Sequence, residues 1–279
     1  MTAPHRAAGI ESASSFDPWP DSPVHLDWGI DAAQLAASRG DAVVIVDALS
    51  FSTTVILAVA HGAAVLPLAR AELERTPDLA ELEAEHRARL LANDPADRQL
   101  GDVLTDVGKI QPGDRVIVPS QNGGTICSAI TDAPAAAIGS FRNRTATAEW
   151  GARLLAAGTV GRLTLVAAGS SWSQMGSRNA LRPCIEDGVA AGAVAAALRD
   201  SGLGLSVEAS AMAAAFDDVH SNHDIATWLR DTVTGRWLKS LDGPPDDVID
   251  AGRLDASPVV PSLAPDGFFH DAMGPGRTR

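Results

Sequence analysis

Near-continuous runs of small and β-branched residues constrain this chain more than any other feature. AVVIVD at 42–47, RVIVP at 115–119, AAIGS at 136–140 and RLTLVAA at 162–168 are apolar along most of their length rather than alternating. Such runs suit strands buried on both faces, as in parallel sheets covered by helices. Each is followed by a polar loop and then an Ala-rich segment of helical character, and AAVLPL at 63–68 adds a strand behind the first helix. That order is βαβ grammar and predicts an α/β fold: three layers, α/β/α, around a mainly parallel or mixed sheet.

Punctuation agrees with this division. Gly62 suits a left-handed helix end, and Pro112-Gly113 marks the turn before the second main strand. The charged stretch at 69–100 has helical periodicity and reads as a solvated helix plus loop outside the sheet, without chemistry of its own. At 279 residues the chain is long enough for one large domain or two closely packed lobes, here bounded to 24–270. Residues 1–23, with neither an apolar signal core nor an Arg-rich, acid-poor composition, are expected to form a flexible tail, and 271–279 a second one.

Composition removes several function classes. No uninterrupted apolar run reaches the ~18–20 residues that span a bilayer, so no membrane role is expected. A net charge of −13 argues against binding a phosphate backbone by bulk electrostatics, so nucleic acid is not an expected partner. Cys127 and Cys184 are too few for a disulfide framework and read as reduced thiols of a cytoplasmic protein. Any anionic ligand must therefore be captured by a local site.

Four strand-to-helix junctions share one design: DALSFSTT (47–54), PSQNGGT (119–125), GSFRNRT (139–145) and the longer 168–187. In an open α/β sheet the carboxyl ends of parallel strands share an edge, where ligands bind, so these loops should converge. Free N–H groups at helix starts, with hydroxyls beside them, suit a phosphate or carboxylate. Ser50, Ser52, Thr53, Asn122, Gly123, Gly124 and Thr125 are candidates for that role, with Arg142, Asn143 and Arg144 adding charge and amide donors. Taken singly, each junction is as well explained by ordinary helix capping; the repetition carries the argument. No loop fits the P-loop or dinucleotide spacing, which lowers ATPase and Rossmann readings.

Asp47 closes an apolar strand, and Glu186-Asp187 opens the Ala/Gly-rich helix expected at 187–199. Buried carboxylates need pairing, hydrogen bonds or a metal. Beside anion loops, all three are candidates for catalysis and for holding Mg²⁺, which takes one or two carboxylates and shares phosphate oxygens. Direct attack by Asp47 on phosphorus ranks lower, because Asp47-Ala48-Leu49 lacks the second acid of a D-x-D loop. Gly188 and Gly192 suit close packing against a sheet or, in a homodimer, a second subunit; helix–sheet packing is simpler.

The ordered set VVIVDALSFSTTV, VPSQNGGT, GSFRNRTA and LRPCIEDGVAAGAV, with the ending TGRWLKSLDGPPDDVIDAGRLDASPVVPSLAPDGFF, resembles the 2-phosphosulfolactate phosphatase (ComB-like) family over roughly residues 24 to 270. The resemblance implies an α/β fold and Mg²⁺-dependent hydrolysis of a small phosphorylated organic acid, giving 3-sulfolactate and phosphate. By motif position it carries over Asp47, Asn122, Gly123, Asn143, Glu186 and Asp187. Ser50 stands where the family's best-known D-V-L-R pattern has Arg, and the A-G-E-R-W loop of a bacterial subset reads Ala168-Gly169-Ser170-Ser171-Trp172. Those departures make a changed substrate, or a non-catalytic binder of a phosphorylated or carboxylated metabolite, the alternative reading.

Overall fold

The computed structural model describes residues 22–91, 107–240 and 245–274. Residues 1–21 of the expected N-terminal tail, 275–279 of the C-terminal one and the last part of the charged stretch lie outside them. The fold is mixed α/β, built on a nine-stranded, mainly parallel sheet with helices on both faces.

The expected strands are present as β2 (Ala42–Val46), β3 (Ala64–Ala69), β5 (Arg115–Ser120), β6 (Ala135–Ile138) and β7 (Leu163–Ala167). Strands with no sequence expectation are β1 (Val24–Trp28), β4 (Arg89–Leu90), the pair β8 (Ser170–Ser171) and β9 (Leu181–Arg182), and the pair β10 (Pro261–Leu263) and β11 (Phe269–Asp271). The sheet order is β1-β7-β2-β6-β10-β11-β3-β5-β4. β1, β7, β2 and β6 are mutually parallel, as are β3, β5 and β4. Between these blocks lies the antiparallel pair β10–β11, joined by one residue pair to β6 and one to β3.

All residues of β2 and β7 are buried, which explains their unalternating sequences. Successive residues of β2 enter different cores. Val44 and Val46 pack beneath α6 (Arg144–Ala156), α7 (Ile185–Asp200) and α8 (Val207–Asn222), while Val43 and Ile45 face α1 (Gly29–Ser38), α2 (Phe51–Ala60) and α5 (Gly123–Ala129). That second core also holds Val116 and Val118 of β5. Helices α2 and α5 therefore lie between the two strand blocks. Outside the second block sit α3 (Arg70–Arg75) and α4 (Leu79–His86), the helical part of the charged stretch, with Leu73 and Leu82 against Ile117.

This arrangement changes how the loops meet. β2 and β5 are five places apart in the sheet, about 24 Å if it were one flat plane. Yet the amide of Gly123, just beyond β5, lies 2.9 Å from the carboxylate of Asp47. The sheet folds over α2 and α5 rather than lying as one open plane. The C-terminal helices α9 (Ile225–Asp231), α10 (Val233–Ser240) and α11 (Pro245–Ala251) follow α8, with Asp224 capping α9 through Thr227. Among the described residues, no helix is long and apolar enough to cross a membrane.

Helix α7 is buried continuously from Glu186 to Ala196, so its near-absence of an amphipathic pattern is that of a core helix. Its glycines do not await a second subunit. A methyl at Gly192 would lie 2.0 Å from the Met212 carbonyl on α8, and one at Gly188 would meet the Trp28 ring. Helix–helix contact, rather than the expected helix–sheet contact, requires Gly192. Gly192→Ala should cost about 1–3 kcal/mol in urea unfolding, overlap outweighing its better helix propensity. Gly161→Ala, with no atom within 4 Å of the new methyl, should change stability by under ~0.5 kcal/mol. Equal stability of both variants would refute the packing account.

Candidate active site

Three buried carboxylates meet where the loops after β2, β5 and β7 converge. Asp47 ends β2, and its loop is folded by its own hydroxyls. The Asp47 amide donates to Ser52 Oγ at 2.8 Å, the Ser52 amide returns to the Asp47 carbonyl at 2.8 Å, and Thr53 Oγ1 donates to the Ala48 carbonyl. Ser52 and Thr53, both fully buried, thus shape the loop instead of facing a ligand. The Leu49–Ser50 peptide is cis.

Asp187 joins two loops. Its Oδ1 accepts from the Ala48 amide at 2.8 Å and its Oδ2 from the Gly169 amide at 2.9 Å. Asp47 Oδ2 accepts from the Gly123 amide at 2.9 Å. Glu186 is only 1% exposed, and its Oε2 has no hydrogen-bond partner. Burial raises the Asp47 carboxyl to about 6; the Gly123 amide pulls it down, Glu186 pushes it up and Ser120 pulls it down. Asp187 is held well above the usual carboxylate range by burial, then by Asp47 and Glu186, against the two amides.

These acids form part of the wall of a small cavity of about 100 Å³, well below the ~300 Å³ at the low end of drug-sized clefts. Ser50 and Asn122 line it as well. The glycine pair serves packing. A Cβ on Gly123 would fall 2.2 Å from the Phe51 ring, and one on Gly124 2.3 Å from the Leu68 carbonyl. Thr125 Oγ1 bonds back to the Gln121 carbonyl.

The fourth loop does not join. Asn143 is buried, with its amide nitrogen on the Ile138 and Val259 carbonyls and its oxygen accepting from the Ser140 amide. Arg142 pairs with Asp250, and Arg144 with Asp255 at 2.9 Å. None of the three lines the cavity. The physical reason lies in their partners: the acidic 250–255 segment pairs with both guanidinium groups, and the 138–143 turn closes on itself.

Sequence reasoning missed one helical part of the lining. Thr234, Trp237 and Leu238 of α10 line the cavity at i, i+3, i+4, one helical face, and that spacing was the available signal. Gln121 and Gln174 bridge two loops at 2.7 Å. Cys184 also lines the cavity, but burial and then the charges of Asp187 and Glu186 push its thiol up. Burial and Asp47 do the same to Cys127, so neither thiol is an activated nucleophile.

The donor set suits a hard cation in part. An unpartnered buried carboxylate oxygen and two raised acids favour one. Against that, Asp187 already spends both oxygens on backbone amides, and among the described residues no group of three or more His, Cys, Asp or Glu is arranged to hold a metal ion. The three acids are thus neighbours rather than a preformed cage.

No curated protein matches this chain. A family model does: 2-phosphosulpholactate phosphatase, over residues 31–265, which include all three acids and the Thr234 helix. With that match spanning most of its length, the chain belongs to the 2-phosphosulpholactate phosphatase family, a family of phosphoric monoester hydrolases.

Proposed function

We propose that this protein hydrolyses a small anionic phosphate monoester of the 2-phosphosulpholactate kind, with Mg²⁺ as its cation. The observation that carries the reading is the unpartnered Glu186 oxygen buried beside Asp47 at the wall of a phosphate-sized cavity. Asp47 and Glu186 would hold the ion, and Asp187 would act as the brace that keeps the β2 and β7 loops together. Two protein carboxylates suffice for Mg²⁺, whose other positions go to water and substrate oxygens. When bound, the ion supplies neutralisation of the phosphate charge.

In the metal-free protein the Asp47 carboxyl, raised to about 6, is still mostly ionised at neutral pH, and an adjacent cation would favour the charged form further. Ser50, Asn122 and the Thr234 hydroxyl supply polar contacts along the wall. A second reading, a family member that binds a metabolite without turnover, is favoured by one observation: among the described residues no Lys or Arg lines the cavity to stabilise charge developing in a transition state, and Arg142 and Arg144 are engaged elsewhere.

Purified protein given a panel of phosphate monoesters, 2-phosphosulpholactate and phospholactate among them, should release phosphate with Mg²⁺ and cease with EDTA. Asp47→Asn, which removes one of the two carboxylates proposed to hold the ion, should lower activity by about 10-fold or more. Phosphate release from none of the panel would reject the reading; tight anion binding by calorimetry without turnover would favour the second one.

The same acid sets a pH dependence in the metal-free protein. The folded chain holds the Asp47 proton to about pH 6, the unfolded chain only to 3.8. Raising the pH through that window therefore favours unfolding, and the loss persists above it. With EDTA at pH 8, Asp47→Asn should be more stable than wild type by about 1–3 kcal/mol, the advantage vanishing below pH 4. An advantage independent of pH in chemical denaturation would contradict this assignment.

A further inference from the structure

The three acids leave an anionic substrate short of positive complement, and one buried cation behind the cavity lining pairs with no carboxylate among the described residues. Arg182, on β9, is 6% exposed. Among the described residues it pairs with no carboxylate; its side-chain hydrogen bond runs from Nη2 to Thr234 Oγ1 at 3.1 Å, and its Nε has no partner. Burying a guanidinium with one neutral acceptor is costly unless it serves a charge nearby.

Thr234 is the group through which it reaches the cavity. Thr234 is buried and lines the cavity, whereas Arg182 stands behind it. Its hydroxyl is not used to cap α10, a task done by Thr232, whose Oγ1 accepts from the Gly235 amide at 3.0 Å. Because Thr234 Oγ1 accepts from a charged donor, its own hydrogen is left to donate, and the guanidinium polarises it into a stronger donor. The acceptor it has is the Cys184 sulfur at 3.9 Å, a weak partner on the same wall. An anionic oxygen entering the cavity would be a far better one.

We propose that Thr234, polarised and positioned by the buried Arg182, donates its hydroxyl hydrogen to an anionic oxygen of the substrate, making the α10 wall an anion-binding element of the site. The proposal rests on the phosphatase reading for the identity of the anion, not for its existence. Thr234 is the binding residue, and Arg182 a positioning residue that acts through it. The oxygen belongs either to the phosphate or to the non-reacting acid group, and the probes below separate the two.

Mg²⁺-loaded wild type, Thr234→Val, Thr234→Ser, Arg182→Gln and the Thr234→Val/Arg182→Gln double variant would each be titrated calorimetrically with inorganic phosphate and with 3-sulfolactate. Folding of each variant would be checked by circular dichroism. Thr234→Val should weaken one of these probes by about tenfold or more, and Thr234→Ser should restore it. The affected probe names the oxygen: phosphate for the reacting group, sulfolactate alone for the tail. Arg182→Gln should weaken the same probe, and the double variant should be no worse than the poorer single one. In turnover, the loss should appear in KM with kcat within about threefold, since a contact made equally in ground and transition states moves KM.

Wild-type affinity for both probes in Thr234→Val overturns the proposal whether or not the protein turns over substrate, as does failure of the wild type to bind either. If Arg182 merely offsets the acids, Arg182→Gln alone will change kcat and its pH profile while Thr234→Val stays silent, which also overturns it. Should Arg182→Gln not fold, the Val/Ser pair at Thr234 decides. Absence of phosphate release from every monoester, with the binding differences intact, would fail the phosphatase reading and leave this one supported.

Discussion

Carboxylates buried against backbone amides hold this site together. Asp187 ties the loop after β2 to the loop after β7, and Asp47 ties the end of β2 to the helix after β5. Each bond satisfies an acid that would otherwise be costly to bury, and each amide comes from a different loop. Charge satisfaction and loop convergence are therefore one requirement. The fold of the sheet around α2 and α5 follows from it, because the Asp47–Gly123 bond closes a gap that a flat sheet would leave about five strands wide.

Glycine makes those bonds sterically accessible. Gly169 has φ +65°, and a Cβ there would fall within 3 Å of Leu181 and of the Arg182 carbonyl, so the amide that reaches Asp187 needs that residue. Gly123 reaches Asp47 only because Phe51, the first residue of α2, can lie where its side chain would be. The glycines in PSQNGGT were expected to let the backbone approach a phosphate. They let it approach other parts of the protein, and through Asp47 they set the chemistry at one remove.

The strands and their order of connection were legible because burial on both faces leaves an unbroken apolar signature, as in β2 and β7. β1, whose VHLDW is not an unbroken apolar run, and the short strands were not. β8, β9 and β4 have two residues each, and β10 and β11 three, too few for any periodicity to register. Their consequences were large, since the β10–β11 pair separates the two parallel blocks and makes the sheet mixed. Within the site, Asp47, Glu186 and Asp187 were legible as acids in apolar surroundings. Arg142 and Arg144 misled because their partners, Asp250 and Asp255, lie more than a hundred residues away. Local sequence shows that an arginine is available, not which acid it meets.

That diversion of two arginines has a consequence for binding. Among the described residues the cavity is lined by three acids and no cation, so an anion brought in alone meets like charge at close range in a poorly screened setting. Favourable entry requires a cation among the acids, or donors elsewhere in the lining. Donors on the acid side are largely committed: Gly123, Ala48 and Gly169 amides go to the carboxylates, and the Ser52 and Thr53 hydroxyls fold the β2 loop. The rest of the described lining includes α10, which presents Thr234, Trp237 and Leu238 on one helical stripe, so under the proposed reading any selectivity for the anion would be set there rather than by the acids.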